Sequence, residues 1–222
     1  MDKAFTVFGA AGSGSVSVEA ALTLLGLPYE VIEGASWDGG ESALKRIAAV
    51  NPMRQVPAVV LPGGEVMTEA AAILIWLADS HPESGLSPGL DDPRRPAFLR
   101  WMSFVASSIY AFYWQRDDPA RVAPDAASQD FLLRRTNERI AHNWGVMEAQ
   151  TDPARYILGD EMTVLDLFVT VTSRYRPRRE RFYQVAPRLG EVVRRVDVDP
   201  RLTAFWDERY PFEEGWDALS EV

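Results

Sequence analysis

The chain has 222 residues and no cysteine, which excludes disulfides, thiolate metal sites and a cysteine nucleophile, so any thiol chemistry must use an external thiol. With 47% hydrophobic residues, 25% charged residues and seven Trp, the composition is that of an ordinary globular chain, and the length suits a small domain joined to a larger one. A formal net charge of −9 disfavours nonspecific attraction to nucleic acid, no run reaches the roughly 18 apolar residues of a membrane span, and Met1-Asp2-Lys3-Ala4-Phe5 lacks the basic start of a secretory signal, so a cytoplasmic protein is expected.

The first eighty residues alternate between strand-length and helix-length patterns. Ala4 to Phe8 reads as a strand. A Gly- and Ser-rich turn follows, then a helix carried by Val16, Ala20 and Leu24 and stopped by Gly26 and Pro28. Tyr29 to Glu33 reads as a second strand and Glu41 to Val50 as a second helix, ended by Asn51-Pro52. Ala58 to Leu61 and Glu65 to Met67 flank Pro62-Gly63-Gly64 as a hairpin, and Ala72, Ile73, Trp76 and Leu77 mark one face of a third helix. The order is βαβαββα, an α/β layer.

Between residues 81 and 96, Pro82, Gly85, Pro88, Gly89, Pro93 and Pro96 break any long regular element, which predicts a linker. Beyond it only helix-length patterns appear: Phe98 to Tyr113, Ser128 to Gln150, Thr163 to Ser173 and Pro187 to Asp197. The expected division is 1–80, an α/β domain; 81–96, a linker; and 97–222, an all-helical domain. Arg174, Arg176, Arg178, Arg179 and Arg181 form a local basic cluster, read as a solvated helix end or as partners of carboxylates within the chain rather than as a nucleic-acid site. His81 and His142 are the only histidines, too few and too far apart in sequence to suggest a metal site.

Asn51-Pro52-Met53-Arg54-Gln55-Val56-Pro57-Ala58-Val59, followed by Glu69 in Thr68-Glu69-Ala70-Ala71-Ala72-Ile73, resembles the core signature of glutathione transferases. Gly159 to Asp166 resembles that family's signature at the start of a central helix in its second domain, with Thr163 and Asp166 at the spacing of a capping box. The resemblance therefore covers the whole chain. It implies a thioredoxin-like first domain that binds glutathione as co-substrate, an all-helical second domain and a homodimer.

Proline is the residue most able to accept a cis peptide bond, which lets Val56 turn its N–H and C=O outward. The resemblance implies that these groups pair with the cysteinyl backbone of glutathione as an added strand would. It also implies that Glu69 holds the γ-glutamyl ammonium. The Ser usual at the next position, which binds the γ-glutamyl carboxylate, is Ala70, leaving only backbone N–H groups for that anion. Gln55 and Trp37 are further candidates, at the glycyl end.

A free thiol with a pKa of roughly 8.5 needs about 1.4 kcal/mol of preferential stabilisation of its anion per unit of lowering. The family's donor is a Tyr, Ser or Cys in the loop after the first strand or in the first helical turn. Counted back from Gly26, its Ser-type and Cys-type positions fall on Gly12 and Gly14. Ser13 is the first candidate for the displaced hydroxyl and Ser15 the second. Ser15 equally fits a helix cap, and activation by backbone N–H groups alone is an alternative. A small hydrophobic electrophile would lie between the domains, with Tyr110, Tyr113 and Trp114 as candidate pocket residues. The competing reading is a non-catalytic ligand- or partner-binding protein with the transferase fold.

Overall fold

The computed structural model describes residues 4–35 and 40–212. Strand β1 (Phe5–Gly9) leads into helix α1 (Ser15–Leu24), strand β2 (Tyr29–Glu33), helix α2 (Gly40–Val50), strands β3 (Ala58–Val60) and β4 (Val66–Thr68), and helix α3 (Ala70–Ser80). The sheet order is β2-β1-β3-β4, with β1 parallel to β2 and the pairs β1/β3 and β3/β4 antiparallel. This is the βαβαββα arrangement of a thioredoxin-like layer. Val7, Ala58 and Val59 are fully buried in its central strands.

Among the described residues, seven α-helices follow: α4 (Arg95–Ser108), α5 (Tyr113–Asp117), α6 (Ala126–Gln150), α7 (Val164–Thr172), α8 (Arg178–Val185), α9 (Pro187–Asp197) and α10 (Thr203–Arg209). Every residue of α7 is buried, so this helix is the axis on which the helical half is built. Its start is secured as its capping pattern predicts. The Asp166 carboxylate accepts the Thr163 N–H at 2.8 Å, the Thr163 hydroxyl at 2.9 Å and, on its other oxygen, the Ile157 N–H at 2.9 Å. Burial pushes the Asp166 pKa up to about 6 despite these donors.

Buried apolar residues from both halves share one contiguous cluster, from Val16 and Leu22 in α1 through Ile73 and Leu77 in α3 to Phe98, Phe168 and Val193. Helix α1 touches α3 on its own side and α7 and α10 on the other. Its apolar residues therefore lose water on two flanks, which explains why even Glu19 is fully buried.

One expected helix is shorter than its pattern predicts, and two further helices are present. The helix predicted over Phe98 to Tyr113 ends at Ser108, where the carbonyl accepts a hydrogen bond from the buried Asn143 side chain. Ile109 leaves helical geometry at φ −130°, Tyr110–Phe112 form one 3₁₀ turn, and α5 starts afresh. Helices α8 and α10 were not anticipated. The basic cluster hides α8 because Arg179, an apparent surface residue, is fully buried. Arg174 and Arg179 both bind Asp197, at 3.0 and 2.8 Å, which bears out the reading of a carboxylate partner within the chain.

Candidate functional site

Between the sheet layer and the helices lies a cleft of about 1000 Å³. One wall is built by three loops at one end of the sheet: Gly12-Ser13-Gly14 before α1, Met53 to Val56 before β3, and Glu69-Ala70-Ala71 at the start of α3. The opposite wall comes from α4, α5 and the turn between them, with Tyr110, Tyr113 and Trp114, and from Phe168 and Tyr210.

The loop before β3 is shaped by Asn51, which is buried. Its side-chain amide donates to the Gln55 carbonyl at 2.9 Å, and its side-chain oxygen accepts the Met53 N–H at 3.1 Å. These bonds set the approach to Val56-Pro57, whose peptide bond is cis. Neither the N–H nor the C=O of Val56 is hydrogen-bonded by any described residue. Val56 and Gln55 line the cleft; Pro57 stands behind them.

Glu69 caps α3 at φ 68° and ψ 103°, a strained conformation for a residue with a side chain, and its carboxylate is exposed. Ala70 and Ala71, in the first turn of α3, line the cleft beside it, and a helix N-terminus favours an anion. Ala70 is buried and places no hydroxyl there. Trp37 lies outside the described residues.

The turn before α1 differs from what its composition suggests. Both serines are buried, and only Ser13 lines the cleft. The Ser13 oxygen accepts the Ser15 N–H at 3.1 Å and shares a hydrogen bond of 2.8 Å with the Ser15 hydroxyl. The Ser15 hydroxyl in turn donates to Glu19 Oε1 at 2.7 Å, and Glu19 is ion-paired with Arg209. Each hydroxyl has a single proton. With the Ser15 proton on Glu19, the proton between the serines belongs to Ser13, so the chain runs Ser13 to Ser15 to Glu19 and leads away from the cleft. Gly12, at φ 73°, donates its N–H to the Arg209 carbonyl at 3.0 Å, which pins the turn to α10.

On the helical wall, the Tyr113 hydroxyl is committed to the Arg176 carbonyl at 2.9 Å. Trp114 is 45% exposed, with the Arg121 guanidinium 5.1 Å from its ring centre. Tyr110 is half-buried, and its ring is held edge-on by Phe168 at 5.7 Å. Burial pushes the Tyr110 phenol up, reinforced by the charges of Asp117 and Glu69. The cleft thus gathers Ser13, Gln55, Val56, Glu69, Ala70, Tyr110, Tyr113 and Trp114, and leaves Ser15 and Pro57 behind its surface. Sequence reasoning missed Asn51, Glu19 and Arg209. Asn51 carried a signal, since an Asn after a helix and two residues before a bend commonly bonds back to its own loop; the Glu19–Arg209 pair carried none.

Residues 15–80 match the family described as glutathione S-transferase, N-terminal domain. The chain is 28% identical over 196 residues to the uncharacterized GST-like protein YncG of Escherichia coli, covering 88% of this chain and 94% of that one. It is 31% identical over 156 residues to glutathione S-transferase Z2 of Arabidopsis thaliana, covering 68% of this chain and 67% of that one. The chain belongs to the glutathione transferase family. A Sulfitobacter glutathione transferase homologue, solved with bound glutathione, superposes with a TM-score of 0.79 at 22% identity over 93% of this chain and 98% of that one, which shows the shared fold. No described helix is long and apolar enough to cross a membrane. Among the described residues, no group of three or more His, Asp or Glu could hold a metal ion.

Proposed function

We propose that this transferase-family chain binds glutathione in the cleft and joins its sulfur to a small hydrophobic electrophile. One observation carries the reading. Val56, whose N–H and C=O are hydrogen-bonded by no described residue, lines the same cleft as the starts of α1 and α3, which offers an extended peptide a strand-like partner and its carboxylate a helix N-terminus. Glu69 receives the γ-glutamyl ammonium, the N–H groups from Ala70 onward receive the γ-glutamyl carboxylate, and Gln55 faces the glycyl end, with Trp37 as its further candidate. The thiol then lies at the turn before α1, where Ser13, the first candidate hydroxyl, lines the cleft and Ser15, the second, stands behind it. Tyr110, Tyr113 and Trp114 form the aromatic floor for the electrophile. Thiolate sulfur forms the new bond to carbon, the leaving group departs with the electron pair, and the thiol proton passes to solvent.

The same reading includes a cytoplasmic homodimer divided at 1–80, 81–96 and 97–222. Calorimetric titration with glutathione is expected to give micromolar-to-millimolar affinity, and turnover of a chlorinated dinitrobenzene should release chloride. Failure of wild-type protein to bind glutathione would remove the reading. A second reading, a binding protein without turnover, is favoured by Ala70 and by the inward course of the serine hydroxyls. Binding without chloride release would select it.

A further inference from the structure

Gly14, which caps α1, leaves a space filled from the other half of the molecule. A β-carbon on Gly14 would lie 1.9 Å from the Tyr110 hydroxyl oxygen and 2.7 Å from the ring carbon that bears it. The Tyr110 hydroxyl therefore stands where a side chain of residue 14 would begin. Gly14 itself has ordinary backbone angles, φ −61° and ψ −20°, so space, not conformation, is what excludes a side chain there.

We propose that Tyr110 supplies the hydroxyl that holds the glutathione thiolate at the start of α1. The proposal rests on the reading that glutathione occupies this cleft. Three further observations support it. The Tyr110 hydroxyl makes no hydrogen bond to any described residue, so its proton is available to a ligand. The ring is fixed by Phe168 at 5.7 Å and by Tyr113 and Tyr175, each at 6.3 Å, so donation requires no rearrangement. The two serine protons at the turn run inward to Glu19.

The helix break at Ile109 is what makes this possible, because it turns residue 110 out of the path of α4 and into the cleft. Burial keeps the phenol protonated at neutral pH, so it serves as a donor to the sulfur anion and not as a base. When the S–H bond ionises, its proton goes to solvent and the Tyr110 O–H hydrogen-bonds the sulfur. When sulfur attacks, the carbon–sulfur bond forms and the leaving group takes the electron pair, while Tyr110 keeps its own proton.

The test is Tyr110→Phe, which keeps the ring and removes the hydroxyl, read beside Gly14→Ala and Ser13→Ala. For Tyr110→Phe, kcat/KM for the chlorinated dinitrobenzene should fall roughly ten- to a hundredfold, the worth of one hydrogen bond to a charged group. Glutathione affinity at neutral pH should change less than threefold, on the order of 0.6 kcal/mol. The ultraviolet thiolate absorbance of bound glutathione should titrate at higher pH than in wild type. Gly14→Ala, which displaces the hydroxyl, should reproduce the upward shift, and Ser13→Ala should lose less rate than Tyr110→Phe. An unchanged rate and thiolate titration in Tyr110→Phe, with glutathione still bound, overturns this assignment alone. Absence of glutathione binding to wild-type protein overturns the cleft reading and this assignment together.

Discussion

The guanidinium of Arg209 in α10 reaches the fully buried carboxylate of Glu19 in α1, 190 positions earlier, with Nε 2.5 Å from Oε2. The same carboxylate accepts the Ser15 hydroxyl, and the Arg209 carbonyl accepts the Gly12 N–H, so the last described helix holds the turn at the cleft from behind. Removing Arg209 strands a buried anion, which costs about 3–5 kcal/mol. Arg209→Ala should lower the urea midpoint by the corresponding amount without changing the slope. An unaltered midpoint would show that Glu19 finds water or another donor in the folded chain.

Glu69 combines a strained backbone with a proposed ligand contact. A conformation of this kind costs about 1–3 kcal/mol in a residue with a β-carbon, and glycine's greater freedom in the unfolded chain returns about 0.5–1 of it. Glu69→Gly should therefore raise stability by about 1 kcal/mol in thermal unfolding while weakening glutathione at least tenfold in calorimetry. Weakened affinity with unchanged stability would mean that neighbouring contacts absorb the strain.

Ala70 opens α3 beside the cleft without a hydroxyl. Ala70→Ser should strengthen glutathione binding tenfold or more, since a hydrogen bond to a charged group contributes roughly 1.5–3 kcal/mol. Calorimetry of the two proteins at one pH measures this directly. Equal affinities would move the γ-glutamyl carboxylate away from residue 70.

Asp166 makes the helical half sensitive to pH. Its pKa stands at about 6 in the folded chain against 3.8 as the ordinary value, so the folded state binds more protons between them. The contribution of protonated Asp166 is fully present below the ordinary value and is lost as pH rises through the folded value. Denaturation from pH 4 to pH 7 should show Asp166→Asn losing this component of the slope, relative to wild type. Asp166→Ala should cost about 1 kcal/mol for the cap alone, with more from the stranded N–H of Ile157. Parallel stability profiles for wild type and Asp166→Asn would show that the three donors hold the carboxylate ionised throughout.

The βαβαββα half was legible because each of its elements has a local signature: strand-length apolar runs, Gly26 and Pro28 after one helix, Asn51-Pro52 after another, glycines at the hairpin. The capping box at Thr163 and Asp166 was legible for the same reason. What escaped depends on tertiary partners. Arg179 is polar in sequence and buried in the fold because Asp197 and the Thr170 carbonyl receive it, so no periodicity announces α8. Helix α10 has only seven residues, two of them buried, Phe205 and Trp206, too few to stand out as a face. At the cleft, the motif pointed to Val56 and Glu69 because their neighbours in sequence are distinctive. The direction of the serine protons depends on Glu19, four residues beyond Ser15 and fixed by a distant arginine.

A reactive side chain on residue 14 and a phenol on residue 110 compete for one volume, so no descendant of this chain can keep both in their present places. Grafting a cysteine or serine onto position 14 requires the ring opposite to move or to be made smaller. The order of replacement is then constrained: the path from one arrangement to the other passes through a chain in which the ring has been lost or pushed aside.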